Sequence, residues 1–327
     1  MAGAASTMRA ILYGANKTFE LKTVPVPTPT ATQVRVRVHA ASINPVDYKL
    51  PGFPILGWLL RGKGVGLDFS GVVDSCASSS FKVGDRVVGN CSGALADYVV
   101  AECAACAKLP NSVTFSDAAS LPTVALTSLQ ALMDNGFQPG HKVLVFGASG
   151  GCGSIGVQLA KAAGAAHVTG VCSGANAEAV RALGCDVVAD YTLGDAALQS
   201  LLATQAPYDM TYDTVTSPED KDYEPMSRMV LKPGGMHVAI NGRGSDWLRA
   251  LLSSALGLNL HRRSYKLFLK RSDGAGLAQI MDWVAQGKVK PQVEQRYAFT
   301  LPDVEAAFTR LKGRRTKGKL VIDVVQA

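Results

Sequence analysis

An α/β chain in two domains is predicted, one a doubly wound parallel sheet and the other a β-rich, barrel-like fold. Three observations predict it. A buried strand, a glycine turn and a helix start follow one another directly in His141–Lys161. Strand and helix patterns alternate from Ser120 onward, and strand-and-turn patterns without a long helix fill residues 8 to about 125. Alternation of that kind places helices on both faces of a parallel sheet, whereas short period-two strands joined by turns close into a barrel or sandwich. At 327 residues the chain exceeds one ordinary core, and two domains imply a cleft.

In the first part the fold begins at Met8–Tyr13. Val24–Pro29 carries proline at every second position after Val24, so it is extended but excluded from a central strand. Gln33–His39 alternates charged and apolar residues with period two, the pattern of a half-buried antiparallel strand. Phe81–Val88 holds a Gly-Asp turn feeding a strand, and Ala96–Val100 is a further strand. After Pro122 the run to Leu132 predicts a helix; strands are expected near 142–147, 167–172, 186–189, 208–213 and 235–240. A helix over Leu277–Gln286, a helix from Pro302 to Phe308 and a strand over Lys319–Val324 then rejoin the first domain. The expected division is 1–125 with 271–327 for one domain and 126–270 for the other.

Composition narrows the function classes. With 47% hydrophobic and 18% charged residues the chain has a packed core. The net charge of +7 is spread along the sequence, with short clusters at Lys312–Lys319 and at Arg262, Arg263, Lys266, Lys270 and Arg271. Without interleaved aromatics these read as a solvated basic face, and no nucleic-acid partner is expected. Seven scattered cysteines make no disulfide framework and imply a reducing compartment. Cys103 and Cys106 form a lone CxxC without a second pair, so no structural zinc is assigned. The residues before Met8 lack the apolar core of a secretion signal. Trp247–Leu260, interrupted by Arg249 and Asn259, is too short to span a bilayer. It reads as a buried or subunit-contact helix, with peripheral contact to an anionic membrane as the alternative.

The chemistry begins at the glycine turn. Val143–Phe146 is the apolar run of a strand covered on both faces, and Val157, Leu159 and Ala160 are the inner stripe of the following helix. Gly150 lets the backbone approach phosphate oxygens, and Gly153 lets helix and strand close up. Ser149, Gly150, Gly151, Cys152, Gly153, Ser154 and Ile155 are thus expected to grip a dinucleotide pyrophosphate. The next strand ends Gly170-Val-Cys-Ser-Gly-Ala-Asn176, with no acid for an adenosine ribose. Ser173 and Asn176 can donate hydrogen bonds there, and NADPH is the expected cofactor.

This segment, with Ser42–Lys49, Gly66–Val73 and Val83–Val87, closely resembles the zinc-free quinone oxidoreductases of the medium-chain dehydrogenase/reductase superfamily over essentially the whole chain. Within that group it is most similar to plant chloroplast-envelope quinone oxidoreductase homologues and alkenal/alkenone reductases, and next to mitochondrial reticulon-4-interacting proteins. The resemblance implies a GroES-like catalytic domain built from both chain ends around a Rossmann domain, commonly as a homodimer. Gly147 stands where the family's AxxGxxG pattern has alanine. Short-chain dehydrogenases are excluded, because the only YxxxK spacing, Tyr13–Lys17, precedes the glycine turn.

In zinc-dependent relatives a cysteine stands at or beside Asn44 and Gly-His-Glu at Gly66-Leu67-Asp68, so the resemblance implies no metal. It places Tyr191 at the adenosine phosphate, Thr127 near the nicotinamide ribose or carboxamide, and Asn241 and Gly242 beside the ring. The ordinary roles of these types, a back-bonding threonine and an Asn-Gly turn, stay open. Related enzymes commonly carry lysine at Asn176, which leaves Arg181 or another base for the 2′-phosphate. Asn44, Tyr48 and Lys49 line the substrate pocket, with Lys49 stabilising an enolate and Tyr48 or water returning a proton. The implied reaction is hydride transfer to a quinone or to the β-carbon of an α,β-unsaturated carbonyl. An NADPH-binding sensor or interaction protein with weak activity, and an enoyl-thioester reductase, are the alternatives. The apolar loop Phe53–Leu60 is a substrate wall, a membrane contact or buried packing. Cytoplasm is the default compartment, with an organelle or an envelope surface allowed by the resemblance.

Overall fold

In the computed structural model, which describes residues 7–217, 221–242, 252, 265–267 and 270–325, the chain forms two compact units. The first comprises residues up to Leu126, Ser272–Gly287 and the chain from Pro291; the second comprises Thr127–Arg271 with Lys288–Lys290.

The first unit opens with β1 (Thr7–Tyr13) and β2 (Phe19–Pro25), paired antiparallel as a two-stranded sheet. The proline run therefore sits at a sheet end, as its missing N–H groups require. β3 (Gln33–Ser42) is the central strand, with Val34, Val36 and Val38 wholly buried. Two short helices follow, α1 (Pro45–Lys49) and α2 (Pro54–Leu60), then β4 (Asp68–Cys76), β5 (Arg86–Asn90), β6 (Tyr98–Glu102) and β7 (Cys106–Lys108). β6 starts two residues later than its hydrophobic pattern predicts, because the Asp97 carboxylate accepts from the Arg9 backbone at 2.7 Å and its guanidinium at 2.8 Å. α3 (Phe115–Ala119) and α4 (Pro122–Met133) lead out of this part.

The second unit is one six-stranded, all-parallel sheet. Its elements are β8 (Lys142–Phe146), α5 (Gly151–Ala162), β9 (His167–Cys172), α6 (Ala177–Ala182), β10 (Val187–Asp190), α7 (Asp195–Gln205), β11 (Tyr208–Asp213), α8 (Glu224–Val230), β12 (Leu231–Ala239) and β13 (Tyr265–Leu267). The strand order β10-β9-β8-β11-β12-β13 is that of a Rossmann sheet, with the order reversing at β8. β12 begins four residues before the predicted strand. Leu231 pairs with Tyr208, and the register shifts before Met210, across a segment where Gly234 has a φ of 81°.

α9 (Gly274–Ala285), β14 (Val293–Ala298), α10 (Leu301–Lys312) and β15 (Lys319–Asp323) return to the first unit. β15 pairs antiparallel with β3, which completes a seven-stranded sheet ordered β14-β15-β3-β4-β5-β7, with β6 on β3. Lys288–Lys290 groups with the second unit, where Gln158 clasps the Lys290 backbone at 2.7 and 3.1 Å.

Two expectations change. Pro54–Leu60 is a helix rather than a loop, and Phe53, Ile55, Trp58 and Leu59 are not buried packing, being 62%, 79%, 73% and 54% exposed, while Leu60 packs against the core of the first unit. Pro54 at its first turn fits helix geometry, which a search for long periodic runs overlooks. Apart from Leu252, the predicted helix Trp247–Leu260 lies outside the described residues, as do Arg262 and Arg263. Among the described residues no helix is long and apolar enough to cross a membrane.

What positions the glycine turn is a backbone approach. A Cβ on Gly153 would stand 2.1 Å from the Gly147 carbonyl oxygen, so only glycine lets α5 lie this near the end of β8. Gly147 has a φ of 78°, and a Cβ there would meet Thr214 Oγ1 and Val215 Cγ2 at 2.6 Å. That accounts for glycine where the family pattern has alanine. Gly153→Ala should lower unfolding free energy by about 1–3 kcal/mol, as overpacking does. An unchanged thermal midpoint would rule out the close approach.

Candidate functional site

The carboxyl end of the parallel sheet collects the residues expected to hold a dinucleotide. Gly147 and Ala148 N–H both donate to the Val171 carbonyl, at 3.0 and 2.9 Å, which turns the chain sharply after β8. Gly150 caps α5, and the first α-helical bond runs from Ser154 N–H to Gly150 O at 2.9 Å. The amides of Gly151, Cys152 and Gly153 stand before that ladder, at the positive end of the helix dipole. A Cβ on Gly150 would meet only the Gly147 oxygen, at 3.4 Å, so the outer side of the turn has room for a ligand. Ser154 and Ile155 are buried within the helix, and the Ser154 N–H is already committed to its ladder. α4 is tied to this turn through Ser128, whose hydroxyl donates to Cys152 O at 2.9 Å and lies 3.0 Å from the buried Tyr212 hydroxyl. Thr127, nearly buried, is the preceding residue on that helix.

Where the sequence leads one to expect adenosine, the Asn176 amide donates to Ser173 Oγ at 3.1 Å and to Ser149 Oγ at 3.3 Å, joining the end of β9 to the glycine turn. Sequence reading missed a carboxylate here. Asp190, at the end of β10, accepts from Thr192 N–H at 2.8 Å, from its hydroxyl at 2.7 Å and from the Gly174 N–H, which together hold its carboxyl below the usual range. A Cβ on Gly174 would fall 2.3 Å from it. The acid ends β10 while the glycine follows the end of the neighbouring β9, so spacing along one strand gives no warning. Tyr191 follows Asp190 and is 43% exposed. Asn241 and Gly242 follow β12, where Ile240 N–H donates to Asp213 O at 3.1 Å.

The first unit holds a second constellation, built on the wholly buried Asp68. Its Oδ2 accepts from Asn44 Nδ2 at 2.9 Å and from Ser42 Oγ at 3.2 Å. Oδ1 accepts from Asn90 Nδ2 at 2.9 Å and from the Thr123 hydroxyl and N–H at 2.6 and 3.0 Å. Lys319, only 6% exposed, brings its ammonium within 3.6 Å of Oδ2 and donates to Asn44 Oδ1 at 2.5 Å and to Ile43 O at 2.8 Å. The basic run Lys312–Lys319 is therefore not wholly a solvated face. Lys312, Arg314, Arg315 and Lys317 are exposed, while Lys319 turns inward because the side chains of β15 alternate and this one meets a buried carboxylate. Lys312 lies over the Tyr48 ring at 5.8 Å, and Lys49 ends the same helix, half-buried. Asn44 begins that helix, with the Asp47 carboxylate accepting from its N–H at 2.7 Å.

The buried Asp47 carboxyl is pushed up to about 7, chiefly by loss of solvent and further by Asp68, against the Asn44 N–H and Lys319. Burial also raises the thiols of Cys91 and Cys106, which makes both poor nucleophiles. A cavity of about 490 Å³ bordered by Arg9, Arg37, Asp97 and Asp323 contains none of the residues singled out in the sequence.

Two family models match the chain, one described as alcohol dehydrogenase GroES-like domain over residues 30–111 and one as zinc-binding dehydrogenase over residues 183–322. The mitochondrial NAD(P)H oxidoreductase RTN4IP1 of Homo sapiens is 31% identical over 329 residues, covering 88% of this chain and 80% of that protein. The 2-methylene-furan-3-one reductase of Solanum lycopersicum is 30% identical over 308 residues, covering 86% of this chain and 69% of that protein. Among solved structures, the quinone oxidoreductase from Coxiella burnetii superposes with a TM-score of 0.81 at 29% identity, covering 98% of this chain and all of that one.

The zinc that one of these descriptions implies does not fit the residues at Asn44 and Asp68. Both Asp68 oxygens are taken up by hydrogen bonds, an ammonium lies beside both the carboxylate and the amide, and neither cysteine nor histidine is among the donors. Among the described residues no group of three or more His, Cys, Asp or Glu side chains could hold a metal ion.

Asp47 gives a pH test. Its folded value lies above its ordinary value of 3.8, so its contribution to stability is complete below about pH 4 and is lost as pH rises through about 7. Asp47→Asn should gain on the wild type by on the order of 2–4 kcal/mol between pH 4 and pH 8. Denaturant unfolding across that range checks it; a gap that stays constant with pH would refute the shift.

Proposed function

Because the chain belongs to the medium-chain dehydrogenase/reductase superfamily, we propose that it is an oxidoreductase that uses NADPH to reduce a quinone or the C=C bond of an α,β-unsaturated carbonyl, without a metal. The observation that carries this reading is the glycine turn, where close-packed backbone exposes helix N–H groups beside Ser149, Ser173 and Asn176. Those residues fit a dinucleotide: three amides for pyrophosphate oxygens and neutral donors at the adenosine end. Asp190, held ionised by Thr192 and Gly174, keeps a negative charge at this end that weighs against a 2′-phosphate, so the NADPH reading rests on the neutral donors Ser173 and Asn176. The names of the relatives point the same way: two are an NAD(P)H oxidoreductase and a reductase of a methylene-furanone.

Reduced nicotinamide, when bound, supplies a hydride. The chain's own task is to hold the charge that appears on the acceptor oxygen and to return one proton, so that two electrons and two protons complete the reduction. Asn44 contributes an amide N–H, a neutral donor of the kind that stabilises an oxyanion. Lys49 offers a cation at the end of the same helix, and Tyr48, its ring against Lys312, offers a hydroxyl for proton return, with water as the other source. No step runs through a metal, and chelators should leave turnover unchanged.

The decisive assay is acceptor-dependent NADPH oxidation with 1,4-quinones, short enals, longer alkenones and a coenzyme A enoyl thioester. Turnover of a quinone or enone is expected. Preference for the thioester would make it an enoyl-thioester reductase, and tight NADPH binding without turnover of any acceptor would make it a sensor. Gly150→Asp should abolish NADPH binding through charge repulsion and steric block, and unchanged affinity by calorimetry would refute the cradle. Asn176→Lys should tighten NADPH more than NADH; equal responses would displace the 2′-phosphate from this position.

A further inference from the structure

The Asn44 amide is gripped at both ends by charges from distant parts of the chain. Its oxygen accepts from the Lys319 ammonium at 2.5 Å, and one of its N–H groups donates to Asp68 at 2.9 Å. All three side chains are buried, and Asp68 is itself fixed by Ser42, Asn90 and Thr123. As the N-cap of α1, Asn44 shares a capping box with Asp47, whose carboxylate accepts from the Asn44 N–H at 2.7 Å, and that box requires neither Lys319 nor Asp68. Nor is stability a sufficient reason, because an apolar pair of similar volume commonly stabilises a core as well as a buried ion pair does. What the arrangement does accomplish is orientation. With oxygen and one hydrogen of a planar amide both fixed, the second Nδ2 hydrogen, used by neither charge, has a single direction. Lys319 on the carbonyl oxygen also polarises the amide, which makes that remaining N–H a better donor.

We propose that Lys319 and Asp68 are positioning residues for the reduction: they lock the Asn44 amide so that its second N–H donates to the acceptor oxygen on which negative charge develops. The proposal rests on the reductase reading above. It assigns catalytic contact to Asn44 alone, and Lys319 acts only through it. Preorganised donors of this kind act chiefly on kcat, because they meet charge that exists only in the transition state.

Steady-state kinetics of the wild type, Lys319→Met, Lys319→Arg, Asn44→Ala and the Lys319→Met/Asn44→Ala double variant test this. Lys319→Met should lower kcat by roughly 10- to 100-fold and leave the KM for NADPH unchanged, as loss of one oriented donor does. Lys319→Arg should recover part of the loss. In the Asn44→Ala background, Lys319→Met should cost nothing further, because the residue it acts through is gone. Multiplying losses in the double variant, or wild-type kcat in Lys319→Met, would overturn the proposal. Should Lys319→Met fail to fold with Asp68 left uncompensated, Lys319→Met/Asp68→Asn removes both charges together and should show the same fall in kcat; wild-type kcat there is equally fatal. A wild type that reduces no quinone or enone would overturn the reductase reading itself, an outcome separate from a lysine variant that performs normally.

Discussion

A carboxylate withdrawn from water has to be surrounded by donors, and the demand of Asp68 organises the first unit. It accepts five hydrogen bonds, from Ser42 on β3, Asn44 at the start of α1, Asn90 on β5 and Thr123 at the start of α4, with Lys319 of β15 close by. Losing any one partner would leave a buried polar group short of its match, which is why so many elements converge on one point. The apolar strands around it supply most of the burial energy; this cluster supplies the specificity of their arrangement. The Lys319 ammonium lies beside both the Asp68 carboxylate and the Asn44 amide, so the cluster is closed by a cation of the chain's own.

The second unit solves a different problem with backbone alone. α5 has to lie almost against the end of β8, and at Gly153 there is no space even for a methyl group. Once that approach is made, the N-terminus of α5 lies at the sheet's switch point. Side chains then add detail rather than structure: Ser128 and Tyr212 fix α4 against the turn, and Asn176 links β9 to it. Backbone binding of this kind is indifferent to which acceptor is reduced.

Much of this was legible in the sequence, and the exceptions have a common form. The five parallel strands, the helix after Pro122 and the glycine turn are local patterns, each contained in a short window, and apart from the early start of β12 they form where the periodicity places them. Helix α2 escaped because seven residues are too few for a period to declare itself. Asp190 escaped because the chain returns it to Gly174 from a neighbouring strand. Lys319 was grouped with four exposed basic residues, since a cationic side chain looks the same in sequence whether or not another element packs over it.

The sequence by itself determined the parallel sheet with its glycine cradle, because strand period, turn chemistry and helix start are properties of contiguous residues. Only the tertiary structure decided that residues 42, 44, 68, 90, 123 and 319 form one network and that the Asn44 amide has a fixed orientation. Those contacts join positions up to 275 residues apart. Whether a charge is buried and paired depends on the packing of every strand that lies between them.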